Sequence, residues 1–461
     1  MSSSSISKLM EGTTSVKIIE ICKVAPPPEA SRAAAMPSSL PLTYFDLLWL
    51  RFYPVQRLFF YELPSNDISF VDEIVPKLKS SLSLTLRHYL PLAGNLVWLP
   101  QSEFPTIEFV DGDGVSLMVA ESDADFYQLS GNGLREASEF HPLVPLLPDS
   151  HDRAAAIAIQ VTTFPNKGYS IGITCHHAIL DGKTSTSFIK SWAQICMDQS
   201  SVPITNPMPD YNRSVIDDPK GLAKIYTNAW LKLDGPDNRS LKLKLPKAKP
   251  SLIRRTFEFT HQNLEKLKQW VLKKNDEKMS SFVVATAYLC VCAAKLEGLR
   301  DGKLLFAFSA DGRSRLKPQV GLNYFGNCWI SCIVCIERIK LLGEKGIALA
   351  CEEISKAIKN LGGGGGLEGL ENYGTLVSEV TNDYSKEMAL TLAGSPRFGV
   401  YNADFGWGKP MKVEIVSAES PSMFTLSDSR NSDVGMEIGV VKERDQMEAF
   451  AALFNEGFEA L

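Results

Sequence analysis

Apolar positions along this chain recur at two different spacings, and the alternation between them predicts a mixed set of strands and helices. Residues 15–24 alternate as a strand, and Ala25-Pro-Pro-Pro-Glu-Ala ends it before a polar loop reaches Leu40-Pro-Leu-Thr-Tyr-Phe-Asp46. Val71, Ile74, Val75, Leu78, Leu82 and Leu86 then fall at helical spacing, and Pro91-Leu-Ala-Gly-Asn95 predicts a turn into a strand near Leu96. Strand-like runs recur at 106–110, 115–120, 155–164 and 169–175. Between Gly182 and Gln199, Phe188, Ile189, Trp192, Ile195 and Cys196 form one apolar helix face.

The pattern changes over residues 201–250. Pro203, Pro207, Pro209, Pro219, Pro236, Pro246 and Pro250 punctuate polar sequence, with one short helix expected over 222–233. This stretch reads as a crossover linker. A second unit begins at Ser251, with a strand to Phe259, a helix after Thr260 and another after Ser280-Ser281. Strands at 304–310, 329–336, 411–416, 423–426 and 436–441 and a closing amphipathic helix complete it. The expected division is therefore a tail over 1–14, domains over 15–200 and 251–461, and a linker over 201–250.

Composition narrows the function classes. Hydrophobic residues make up 44 % of the 461 positions and charged residues 22 %, and a formal net charge of −5 gives no basis for a nucleic-acid partner. The nine cysteines are scattered through apolar runs without paired metal-ligand spacing, as in a reduced compartment. The opening Ser-rich segment lacks a secretory or mitochondrial signal, and no window is long enough for a membrane span. The expectation is a cytosolic monomer with small-molecule substrates, without a membrane partner, a metal or a permanently bound cofactor. A Gly362–Gly366 tract lacks the Lys-Ser/Thr pair of a phosphate loop and reads as a surface loop.

The chemistry concentrates at Tyr169-Ser-Ile-Gly-Ile-Thr-Cys-His-His-Ala-Ile-Leu-Asp-Gly182, which spends two of the chain's six histidines at the end of an apolar run. An imidazole titrates near neutrality and can take and return a proton. If the strand alternation continues, His176 and His177 face opposite ways, so one is catalytic and the other structural. Asp181 either bonds the ring or anchors the turn through a cation elsewhere; Gly182 and the helix start favour the second. Cys175, inside the strand, has nothing nearby to stabilise a thiolate.

His177-Ala-Ile-Leu-Asp181-Gly and Asp404-Phe-Gly406-Trp407-Gly408 resemble, in this order, the HxxxDG and DFGWG motifs of the plant BAHD acyl-CoA-dependent acyltransferases. Leu40–Asp46, Tyr89-Leu-Pro-Leu-Ala-Gly94, Gln160-Val-Thr-Thr-Phe-Pro165 and Ala393-Gly-Ser-Pro-Arg397 extend the resemblance over nearly the whole chain. Tyr324-Phe-Gly-Asn-Cys328 is similar to the signature of the clade that acylates anthocyanins, flavonoids and other phenolic glucosides, usually with malonyl-CoA. The resemblance implies a mixed α/β fold of two chloramphenicol-acetyltransferase-like domains with a channel between them. It implies malonyl-CoA as co-substrate, or another donor such as acetyl- or hydroxycinnamoyl-CoA, or a non-glucoside acceptor; a silent CoA- or phenolic-binding protein is the reading from outside enzymology.

Carried onto this chain, the resemblance makes His177 the general base, with no acyl-enzyme. It makes Asp181 the partner of a structural arginine, assigned to Arg313, with Gly182 at the turn, and makes Asp404 a loop anchor. Trp407 is either an indole donor or packing. For the CoA phosphates, Lys242, Lys244, Lys247, Lys249, Arg254 and Arg255 form the densest basic run, which reads equally as a solvated linker. Ser280 and Ser281 offer donors at a helix start or serve as caps. For a malonyl carboxylate, Lys183 is a candidate, with an arginine elsewhere as its rival.

Overall fold

The computed structural model describes residues 16–28, 37–63, 68–200, 207–233, 237–243, 251–298, 301–361, 388–431 and 434–459. Its contacts group into two units. The first comprises Met1–Pro250 with Gly321–Asn327 and Gly399–Ser417, and the second Ser251–Val320, Cys328–Phe398 and Ala418–Leu461.

In the first unit the strands Val16–Val24, Val115–Ser122, Ile157–Phe164, Gly168–Cys175, Val55–Glu62 and Lys412–Ile415 lie side by side in that order. Val115–Ser122 and Ile157–Phe164 run parallel, and the other neighbours antiparallel. Both Ile157–Phe164 and Gly168–Cys175 are buried at every position, which is why their sequences read as apolar runs and not as strict alternation. The helix Gly182–Asp198 packs on Val75–Leu86, where Trp192 Nε1 donates to Leu78 O at 3.2 Å and Ser81 Oγ at 3.0 Å. The periodicity near Val71 opens as a π turn, Phe70–Ile74, before the α-helix begins.

In the second unit Trp329–Glu337, Lys303–Asp311, Met388–Ser395, Met423–Asp428, Met436–Glu443 and Leu252–Phe259 form consecutive strands of a mixed sheet. The helix Ser281–Glu297 is apolar nearly all round because it is enclosed by other helices, with Tyr288 against Phe454 and Phe458.

Two sequence expectations need correction. Tyr324–Asn327 and the Asp404–Gly408 segment were expected in the second domain, yet both belong to the first unit. Lys412–Ile415 supplies the reason, since it leaves the second half of the chain to pair with Val55–Glu62, and the buried Arg135–Glu414 ion pair at 2.7 Å fixes it there. The described part of the 201–250 segment is also more than a linker. Its helix Leu222–Lys232 buries Tyr226 and Trp230, whose indole donates to Leu47 O at 2.7 Å. No proline falls within 222–232, so the short helix expected there forms, and Tyr226 and Trp230 anchor it. The 1–14 tail and Gly362–Gly366 lie outside the described residues.

Candidate active site

The strand Gly168–Cys175 is bonded along its length to a neighbour on either side, so its end is fixed in place. His176 and His177 follow at once, and a turn leads into the helix Gly182–Asp198. Asp181 is the N-cap of that helix, its Oδ1 accepting the Thr184 N–H at 2.8 Å. His177, Asp181, Gly182 and Lys183 therefore share one turn, with Lys183 half-buried.

The two histidines have different surroundings. His176 is fully buried, its backbone N–H donates to Ala156 O at 2.9 Å, and its Nδ1 accepts the Ala178 N–H at 3.2 Å. Burial, followed by the neighbouring His177, pushes its pKa down to about 3. His177 is half-buried, with its ring stacked on the Trp49 indole at 3.9 Å and 7°. Burial drives its pKa down to about 4, against the opposing pull of its own backbone and of Asp181. At neutral pH His177 is thus an unprotonated imidazole able to accept a proton. Its Nδ1 is enclosed and has no hydrogen-bond partner among the described residues.

Residues remote in sequence gather beneath this turn. Asn327 Nδ2 donates to the His177 carbonyl at 2.9 Å and to Asp46 Oδ1 at 3.0 Å, and Asn327 N donates to the same Oδ1 at 3.0 Å. Thr184 Oγ1 donates to Gly326 O at 3.0 Å. Arg213 donates to Tyr324 Oη at 2.6 Å and Phe325 O at 2.8 Å, and lies 3.5 Å from Asp46 Oδ2. Gly326 has φ +128°, and a Cβ there would collide with the Arg213 guanidinium. Glycine is required at that position on both counts.

The Asp404–Gly408 segment has a different character. Asp404 Oδ1 accepts the N–H groups of Gly406 at 2.8 Å and Gly408 at 3.0 Å, closing a turn in which both glycines have φ above +100°. Phe405 packs edge-on against Trp192 and Tyr61, and Trp407 packs edge-on against Tyr169 with Lys77 5.6 Å from its ring.

Arg313, Arg254, Arg255 and Ser280 belong to the second unit. Arg313 is buried in the second unit and lies 3.1 Å from Asp311 Oδ1. Arg254 is fully buried and ion-paired with Glu419 at 3.5 Å, whereas Arg255, half-buried, lies over the Phe257 ring at 5.0 Å. Strand alternation turns these two adjacent arginines to opposite faces of the sheet. Ser280 is the N-cap of the helix Ser281–Glu297 and accepts the Val283 N–H at 3.3 Å. Lys242 is exposed; Lys244, Lys247 and Lys249 lie outside the described residues.

Sequence reading missed Trp49, which lies in an apolar run with nothing to single it out. It also gave no role to Asp46 and Asn327, although both belong to stretches already noted for family resemblance. Their partnership spans 281 positions, so no local pattern could reveal it. Among the described residues, no group of three or more His, Cys, Asp or Glu could hold a metal ion, and no helix is long and apolar enough to cross a membrane.

The transferase family model matches residues 16–456. Phenolic glucoside malonyltransferase 2 of Arabidopsis thaliana is 40 % identical over 456 residues, covering 96 % of this chain and 99 % of that protein. Malonyl-CoA:anthocyanidin 5-O-glucoside-6''-O-malonyltransferase of the same plant is 39 % identical over 461 residues, covering 97 % and 99 %. The crystal structure of vinorine synthase shares the fold, with a TM-score of 0.69 at 18 % identity over 94 % of this chain and 96 % of that one. With full-length relatives and both sequence motifs in one unit, this chain belongs to the BAHD family of acyl-CoA-dependent acyltransferases.

Proposed function

We propose that this enzyme transfers a malonyl group from malonyl-CoA to a sugar hydroxyl of a phenolic or flavonoid glucoside, with His177 as general base. The observation that carries the mechanism is the His177 ring, stacked on Trp49 and held unprotonated by burial, with its pKa near 4. The substrate reading rests on the names and full-length coverage of the two malonyltransferases.

With Nδ1 enclosed, Nε2 is the working nitrogen. It takes the proton of the acceptor hydroxyl as the oxygen attacks the thioester carbonyl. The new C–O bond gives a tetrahedral oxyanion, whose collapse breaks the C–S bond. CoA leaves as a thiolate and takes the proton from His177; a thiol with a pKa of roughly 8.5 needs little such help. Direct attack fits the neighbouring thiol, because burial pushes Cys175 up to about 12 and makes it a poor nucleophile. Lys183, on the first turn of the helix, is the proposed partner of the malonyl carboxylate.

Product mass spectrometry tests donor and acceptor together. A panel of phenolic glucosides is incubated with mixed malonyl-, acetyl- and coumaroyl-CoA, and malonylated glucosides are expected to dominate. Predominant acetyl or coumaroyl products, or acylation of aglycones alone, would overturn the substrate assignment.

A further inference from the structure

We infer that Asn327 is a positioning residue for His177, itself held in register by the buried Asp46 carboxylate. The inference rests on the reading of His177 as the base.

The carboxamide orientation follows from its neighbours. One amide end of Asn327 faces both Asp46 Oδ1 and the His177 carbonyl, two groups that only accept, so that end is the NH₂ group. Each of its hydrogens has a use. The opposite orientation would set three acceptors against one another in a fully buried place.

Asp46 does more than cap its helix. Its Oδ2 accepts Thr43 N and Thr43 Oγ1, both at 2.9 Å, which completes the capping box of the helix Tyr44–Leu47. Its Oδ1 receives two donors from Asn327. An ordinary cap needs only one carboxylate oxygen; the second is committed to Asn327. Arg213, bonded to Tyr324 and Phe325 and ion-paired with Asp46, keeps the loop from sliding past this carboxylate.

The His177 carbonyl is where the network meets the chemistry. Its position sets the peptide plane after the histidine, and with it the direction of the Cα–Cβ bond that places the ring over Trp49. His177 lies beyond the last strand residue, so the ladder no longer holds it. Asn327 replaces that lost restraint. Asn327 touches no substrate in this scheme; it acts through the base.

The test measures kcat and KM for malonyl-CoA and a phenolic glucoside in Asn327→Ala, Asp46→Asn and the double variant, with His177→Ala in parallel and thermal melting of each. Since misplacement by about 1 Å can cost roughly 100-fold, kcat is expected to fall about 10–100-fold in each single variant, with both KM values within about threefold. The double variant should be no slower than the slower single, because both changes remove one network. Should Asn327→Ala fail to fold, Asn327→Ser carries the test, since a hydroxyl retains some polarity but cannot span both acceptors. A full wild-type kcat in folded Asn327 variants, or a loss confined to KM, would overturn the inference. Turnover retained in His177→Ala would instead overturn the base assignment.

Discussion

The turn at His177–Gly182 and the turn at Asp404–Gly408 are both aspartate-and-glycine motifs in the first unit, and their carboxylates do similar work. Asp181 accepts the Thr184 N–H, and Asp404 accepts those of Gly406 and Gly408. What separates them is what each turn carries. The first presents an imidazole kept neutral by burial and stacked on an indole; the second packs Phe405 against Tyr61 and Trp192, and Trp407 against Tyr169. A motif's prominence in sequence therefore says little about whether it performs chemistry or holds the scaffold that does.

Substitutions at the two turns should separate these roles. His177→Ala should have the largest effect, lowering kcat/KM about 1,000-fold, within the range general acid–base catalysis supplies and equivalent to about 4 kcal/mol. Its melting temperature should stay near that of the parent. Asp404→Ala should do the reverse: losing the acceptor of two backbone donors costs about 1–2 kcal/mol, seen as a melting-temperature drop of a few degrees. Activity per folded molecule at low temperature should remain within about threefold, as for a residue that acts on the fold alone. If Asp404→Ala lost activity like His177→Ala without melting earlier, the contrast would fail.

Protonation offers a finer test. His176 and His177 have native pKa values lowered to about 3 and about 4, whereas unfolded histidine titrates near 6.5. Between these values the unfolded chain binds protons that the native state refuses, so stability is complete above about pH 6.5 and declines as pH falls toward 4. Melting curves across this window should show that decline, shallower in His177→Ala. The smallest expected effect is on donor choice: Lys183→Ala should reduce the preference for malonyl-CoA over acetyl-CoA about tenfold, the weight of one partly solvated ion pair of about 1.4 kcal/mol. An unchanged preference would remove Lys183 from the carboxylate site.

Much of this was legible in the sequence for physical reasons. The strand at 169–175 and the helix after Gly182 have periods that burial imposes, and the histidine pair stands out because titratable side chains rarely end an apolar run. The separate surroundings of His176 and His177 followed from geometry that the sequence could only outline. Unit membership was not legible at Lys412–Ile415, because strand pairing over hundreds of residues leaves no mark in local alternation. The helix Leu222–Lys232 was legible as a short helix among prolines, but the burial of its Tyr226 and Trp230 was not. Asp46 and Asn327 were visible as motif members, but a hydrogen bond between distant residues has no period to read.

The most direct test of one-step transfer at His177 is a rapid-quench single turnover with malonyl-CoA labelled in its malonyl group, run with and without a phenolic glucoside. With the glucoside, labelled product and free CoA thiol should appear at the same rate, and without it no label should remain on the denatured protein. Label covalently bound to the protein, or thiol released ahead of product, would contradict direct attack.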